Sequence, residues 1–130
     1  MTTAGKFAVA LIALLHVYIM ILEMFLWTRP AGMRAFGTKP EFAEASKVLA
    51  ANQGLYNGFL AAGLFWGLFT NNRNFKIFFL LCVIAAGVFG GLTVKTSILF
   101  TQALPALLAL IFVILSRANS GGIRSMDYHS

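Results

Sequence analysis

The residues able to do chemistry are few in this 130-residue chain, and the most reactive of them fall in its first apolar stretch. His16, Met20, Glu23 and Trp27 are spaced by four, three and four residues. At about 100° per residue, Glu23 points within about 20° of His16, so the two ionisable groups share one helix face. A carboxylate held in hydrocarbon costs ~2–3 kcal/mol even on lenient scales. An acid retained there is a candidate proton carrier or ligand anchor, or else the partner in a salt bridge to Arg29, Arg34 or Lys47. His16 alone reads as a hydrogen-bonded core residue, but two ionisable groups on one face point to a lined cavity. Their separation along a helix is about 10 Å, so they would act on two ends of a substrate rather than on each other.

A second group is made of amides and hydroxyls. Asn52, Gln53, Tyr56 and Asn57 cluster in the second apolar stretch, and Gln102 follows Thr101 in the last. Inside a membrane such groups either bond helix to helix, for under about 2 kcal/mol each, or contact a bound polar molecule. Other chemistries are set aside. Cys82 has no second cysteine for a disulfide relay. No His, Cys and acid set has metal-ligand spacing, and neither a phosphate-cradling loop nor a Ser-His-Asp set is present. No cofactor and no metal are expected.

The elements that must position these residues follow from composition. The chain is 59% hydrophobic and 11% charged, with mean hydropathy +0.82. A soluble domain carries about 25% charged residues. Disorder is excluded by the same numbers, and a secreted disulfide scaffold by the single cysteine, Cys82. Uncharged runs lie between Lys6 and Glu23, Lys47 and Arg73, Lys76 and Lys95, and Lys95 and Arg117. A crossing takes about 20 helical residues, so each run fits one crossing and none fits two. The expected fold is all-α: an up-and-down transmembrane four-helix bundle with spans near 7–27, 48–70, 75–94 and 98–116. The domain runs from 1 to 116 and a flexible polar tail from 117 to 130, with Asp127 and His129 solvated.

The first span reads as a retained helix. Its apolar run exceeds the roughly 7–15 residues of a leader's core, and Arg29-Pro30-Ala31-Gly32-Met33-Arg34 after it offers no clean A-x-A site. Thr28 to Gly37 reads as a loop punctuated by Pro30, Gly32 and Gly37. Thr38-Lys39-Pro40-Glu41 has capping-box spacing, starting the second helix before its membrane run. Gly54-xxx-Gly58-xxx-Ala62, Gly63-xxx-Gly67, Gly87-xxx-Gly91 and Ala86-xxx-Gly90 mark packing seams. These seams are expected within the bundle, with a homodimer as the alternative.

Up-and-down threading places Glu23, Asn52, Gln53, Asn57, Thr93, Lys95 and Gln102 in one leaflet, with His16 near the midplane. The basic residues divide five to five: Lys6, Arg73, Lys76, Arg117 and Arg124 against Arg29, Arg34, Lys39, Lys47 and Lys95. That tie gives the positive-inside rule no vote; the termini are assigned to the cytoplasm. The net charge of +6 is thus spread over both faces. It calls for membrane lipid as partner and no nucleic acid.

Several strings are familiar. His16, Glu23-Met24-Phe25-Leu26-Trp27, Phe36-Gly37 and above all Ala50-Ala51-Asn52-Gln53-Gly54-Leu55-Tyr56-Asn57-Gly58-Phe59-Leu60-Ala61-Ala62-Gly63-Leu64 resemble a bacterial family of small four-span membrane proteins catalogued as a domain of unknown function. The resemblance covers residues 6 to about 116. It implies a multi-pass plasma-membrane protein and supplies no activity.

Three functions remain open on the residues alone. The first is a binder or carrier of a small hydrophobic or amphipathic molecule, anchored by Glu23, with His16, Asn52, Gln53, Asn57 and Gln102 as polar contacts and Trp27 and Tyr56 as aromatic walls. The second is an intramembrane isomerase or epimerase using Glu23 and His16 as acid and base. The third is a structural membrane subunit whose polar residues fix helix register.

Overall fold

The computed structural model describes residues 2–123, with side chains as far as residue 116. Among the described residues the fold is all-α. Helices α1 (Thr3–Met24), α2 (Pro30–Phe36), α3 (Pro40–Phe69), α4 (Arg73–Thr93) and α5 (Leu104–Ile123) follow in order, with one wide π-type turn, Leu99–Ala103, leading into α5. The stretches Thr3–Met24, Arg73–Thr93 and Leu99–Ser116 are long and apolar enough to cross a membrane. Helix α3 is longer than any of them at 30 residues, but Asn52, Gln53, Tyr56, Asn57 and its glycines dilute its apolar character.

Four local expectations change. The stretch read as a loop contains helix α2, which begins with Pro30 and ends at Gly37 in the left-handed conformation, φ +66°. Proline suits a first helical position and glycine the position just past the last turn. Gly32 has no room for a side chain: a Cβ there would stand 2.0 Å from the Leu26 carbonyl oxygen. The capping box does not form. Helix α3 starts at Pro40, the Lys39 carbonyl accepts from the Ala43 N–H at 2.9 Å, and the Thr38 hydroxyl is buried without a hydrogen-bond partner. Helix α1 ends at Met24 rather than Trp27. Helix α5 continues to Ile123, into the expected tail; the tail's remainder, with Asp127 and His129, lies outside the described residues.

The chain forms two compact units. One takes in the residues up to Ile12 and those from Gly63 on; the other is Ala13–Ala62. In the first, α4 turns Lys76, Leu80, Val83, Gly87 and Gly91 inward at spacings of three and four. A Cβ on Gly87 would lie 2.8 Å from the Ala103 nitrogen, and one on Gly91 would lie 2.4 Å from Leu99 Cγ. The wide turn has a local cause. Pro105 lacks an N–H, and in a regular helix its ring would press on the Thr101 carbonyl four residues back. The chain widens instead, and the Leu104 N–H reaches the Leu99 carbonyl five residues back. The end of α3 and the start of α4 form a hairpin closed by the short turn Thr70–Asn72. Its contacts are Gly63 against the Phe79 ring and Gly67 against Lys76. Lys76, read from sequence as a border residue, is buried, with Nζ 3.2 Å from Asn71 Oδ1.

In the second unit the glycines of α3 receive the end of α1. A Cβ on Gly54 would meet Met24 Cγ at 2.7 Å and Glu23 Cβ at 2.9 Å, and one on Gly58 would meet Met20 Sδ at 2.7 Å. Buried Ala13, Leu22, Ala43, Ala50 and Ala61 complete this unit's core together with His16. Small residues let two backbones approach closely where no hydrophobic force drives helices together in lipid. These glycines therefore serve contacts inside the chain.

Candidate functional site

Glu23 lies in the last turn of α1 and is partly buried. A helix of 22 residues is about 33 Å long, close to the ~30 Å hydrocarbon thickness. A crossing by Thr3–Met24 therefore carries Glu23 to the edge of the hydrocarbon rather than well inside it. The approach of α3 through Gly54 brings Asn57, one turn further along, against it. Asn57 Nδ2 donates to Glu23 Oε1 at 2.6 Å, while the same nitrogen lies 3.3 Å from the Gln53 carbonyl. Among the described residues no base is ion-paired with Glu23, so the salt bridge to Arg29, Arg34 or Lys47 is not made; Lys47 pairs with Glu44 on its own helix.

Past the end of α1 the chain reverses so that Leu26 N–H and Phe25 N–H both return to the Ile21 carbonyl. This reversal places Trp27 beside α3. The indole N–H donates to Ser46 Oγ at 3.0 Å, and Ser46 in turn donates to the Phe42 carbonyl at 2.6 Å. The ring also packs on Phe36 of α2, with centroids 5.0 Å apart. Between the end of α1 and the start of α3 an open cleft of about 340 Å³ remains, lined by Glu23, Met24, Phe25, Trp27, Thr28, Lys47, Val48 and Ala51. Small-molecule pockets run from about 300 Å³ upward. The cleft thus has one carboxylate, one ammonium already paired, two aromatic side chains and otherwise mostly apolar walls.

The other residues singled out from sequence are placed as follows. His16 is fully buried in α1 and does not line the cleft. Asn52 and Gln53 are exposed. Tyr56 is exposed and packs edge-on against Phe59 at 5.8 Å. Gln102 sits in the wide turn of the first unit, partly buried. Ser46, Lys47 and Thr28 were not selected as site residues. Ser46 had a signal of a kind, since a half-buried indole N–H needs an acceptor. Among the described residues no three His, Cys, Asp or Glu side chains come together as a metal site.

The architecture is that of a small helical protein with membrane-length apolar helices. The chain belongs to the family described as "Protein of unknown function (DUF1304)", whose match spans residues 10–114. It is similar to "Uncharacterized protein YpaA" of Lactococcus lactis subsp. lactis, at 37% identity over 105 residues, 78% of this chain and 88% of that one. No solved structure matches. The resemblance read from the strings around Glu23 and Asn52 to Asn57 is thus to the family the chain belongs to.

Proposed function

We propose that this is a multi-pass protein of the bacterial plasma membrane that crosses four times and binds or carries a small hydrophobic or amphipathic molecule in the cleft beside Glu23. The observation that carries the binding reading is the carboxylate itself. It is oriented by Asn57, unpaired with any base among the described residues, and opens onto a cleft of about 340 Å³. A glutamate whose only task was to hold α1 against α3 would have no use for such a cleft. The position suits an amphiphile: a polar end meets Glu23 and Trp27 at the hydrocarbon border, beside the apolar side chains of Met24, Phe25, Val48 and Ala51.

Co-purification tests this reading. The full chain is solubilised with native lipid, and the small molecules it retains are identified by mass spectrometry, in parallel with Val48→Trp. Val48 lines the cleft and is 78% exposed, so the larger side chain obstructs the cleft without entering a core. A molecule enriched with the wild type and lost from Val48→Trp is the expected result. Identical retained material in both overturns the reading.

A further inference from the structure

We propose that the cleft selects an amphiphile whose headgroup is a cation, held between the Glu23 carboxylate and the Trp27 ring. This rests on the reading of the cleft as a binding site and adds the charge of its occupant.

Charge complementarity is the first ground. The charged groups at the cleft are Glu23 and Lys47, with Glu44 beside Lys47. Lys47 and Glu44 satisfy each other, so the negative charge of Glu23 is the one left without a counter-ion among the described residues. Asn57 donates to Oε1, and among the described residues Oε2 receives no hydrogen bond. One carboxylate oxygen is thus fixed in place and the other is available to a second donor or cation.

The helix end is the second ground. The last carbonyls of an α-helix lack intrahelical partners, and its dipole favours positive charge there. Helix α1 has no basic residue in its last turn and carries Glu23 instead. Carbonyl dipoles and carboxylate therefore point to the same missing cation, and among the described residues none is paired with Glu23.

Trp27 is the third. Its N–H is taken by Ser46, which leaves the ring as its contribution to the cleft wall. The face of an indole attracts cations, quaternary ammonium groups included, through its quadrupole. A neutral headgroup would leave Glu23 uncompensated, and an anionic one would be repelled by it.

The test varies the headgroup and holds the tail constant. The full chain in maltoside micelles carries Trp66→Phe, which leaves Trp27 as the one indole of the two in the sequence. Trp66 is exposed, so its replacement leaves the cores intact. Decyltrimethylammonium, decanol and decyl phosphate are titrated while Trp27 emission is recorded. The cation should give a saturable change at a concentration at least about tenfold below that of decanol, as expected for one charge-assisted contact. Glu23→Gln should abolish that preference and Glu23→Asp should retain it. The headgroup series on the unaltered glutamate stands even if either variant fails to fold. Equal or tighter binding of decanol or decyl phosphate overturns the cationic headgroup while leaving the cleft as a binding site. A saturable response to none of the three overturns both.

Discussion

Removing the charge from Glu23 and removing the donor that holds it are different perturbations. Glu23→Gln keeps an oxygen for Asn57 to bond and strands no cation, so the solubilised protein should melt at or above the wild-type temperature. Asn57→Ala leaves a partly buried carboxylate without its donor. Hydrogen bonds to charged groups contribute about 1.5–3 kcal/mol in water-soluble proteins, whereas contacts between membrane helices average about 0.6 kcal/mol. A group at the membrane border lies between these, and a loss of about 1 kcal/mol is expected. The loss should shrink when Asn57→Ala is made together with Glu23→Gln. If Glu23→Gln alone cost about 3–5 kcal/mol, the figure for breaking a buried ion pair, Glu23 would be a strut with a basic partner. At this scale the sequence was legible in part. The four-residue and three-residue spacing put His16, Met20 and Glu23 on one stripe, and that stripe is where Met20 and Glu23 meet Gly54 and Gly58. Spacing did not disclose which of three neighbouring amides faces the acid. At about 100° per residue Asn52 points about 140° away from Asn57, but Gln53 only about 40°; Asn57 is partly buried at the rim of the contact while Gln53, a little further round, is exposed. The bond from Trp27 to Ser46 spans 19 residues and exists only once α1 and α3 are side by side.

Elements were legible where apolar runs are long and obscure where proline and glycine act. A seven-residue helix such as α2 has too few residues to show a period, so Pro30 and Gly37 passed for loop punctuation when they mark its first position and its cap. Pro105 is visible in the sequence, but the wide turn it causes four residues earlier is a response of the backbone and not a residue pattern. That turn seats Ala103 on Gly87, and this seat gives a paired prediction. Gly87→Ala would bring a Cβ to 2.8 Å from the Ala103 nitrogen and 3.0 Å from its Cα. Backbone atoms cannot swing aside, so α4 must shift, at about 1–3 kcal/mol for overpacking. Gly90→Ala on the same helix meets Ile98 Cγ2 at 3.3 Å and Cδ1 at 3.5 Å, the ends of a side chain that can yield. Alanine is also favoured over glycine in helix interiors by up to about 1 kcal/mol. Thermal melting in detergent should show Gly87→Ala well below the wild type and Gly90→Ala level with it or above. Equal losses would mean that the close seat at Ala103 is not a feature of the folded protein.

For the whole molecule the proposed fourth crossing falls to α3. Composition alone does not decide it, because the amides that give α3 its chemistry also lower its hydropathy. The hairpin supports the proposed fourth crossing. Helix α4 is apolar enough to span, and α3 returns alongside it through Gly67 at Lys76 and Gly63 at Phe79. Phe79 lies six residues into α4, about 9 Å along its axis. An α4 that enters the membrane takes the end of α3 in with it, and α3 then runs unbroken back to Pro40. A helix inside hydrocarbon cannot stop midway without exposing backbone groups that lipid cannot satisfy. Between Lys47 and Arg73 it carries no charge, and Asn52 and Gln53 lie only about 8–9 Å from Lys47 along the axis, near the border. Four crossings would place Ala35 and Ser97 on one side of the membrane and Asn74 on the other, and all three residues are exposed. Single cysteines at these positions, in a Cys82→Ala background, are labelled with a membrane-impermeant maleimide on intact and on lysed cells. Ala35→Cys and Ser97→Cys should react together, and Asn74→Cys in the opposite condition. Labelling of Ala35→Cys with Asn74→Cys would keep α3 out of the membrane, leave three spans and place the two termini on opposite sides. Labelling of Asn74→Cys only after lysis, with Ala35→Cys and Ser97→Cys already reacting on intact cells, would fix both termini in the cytoplasm and resolve what five basic residues against five leave undecided.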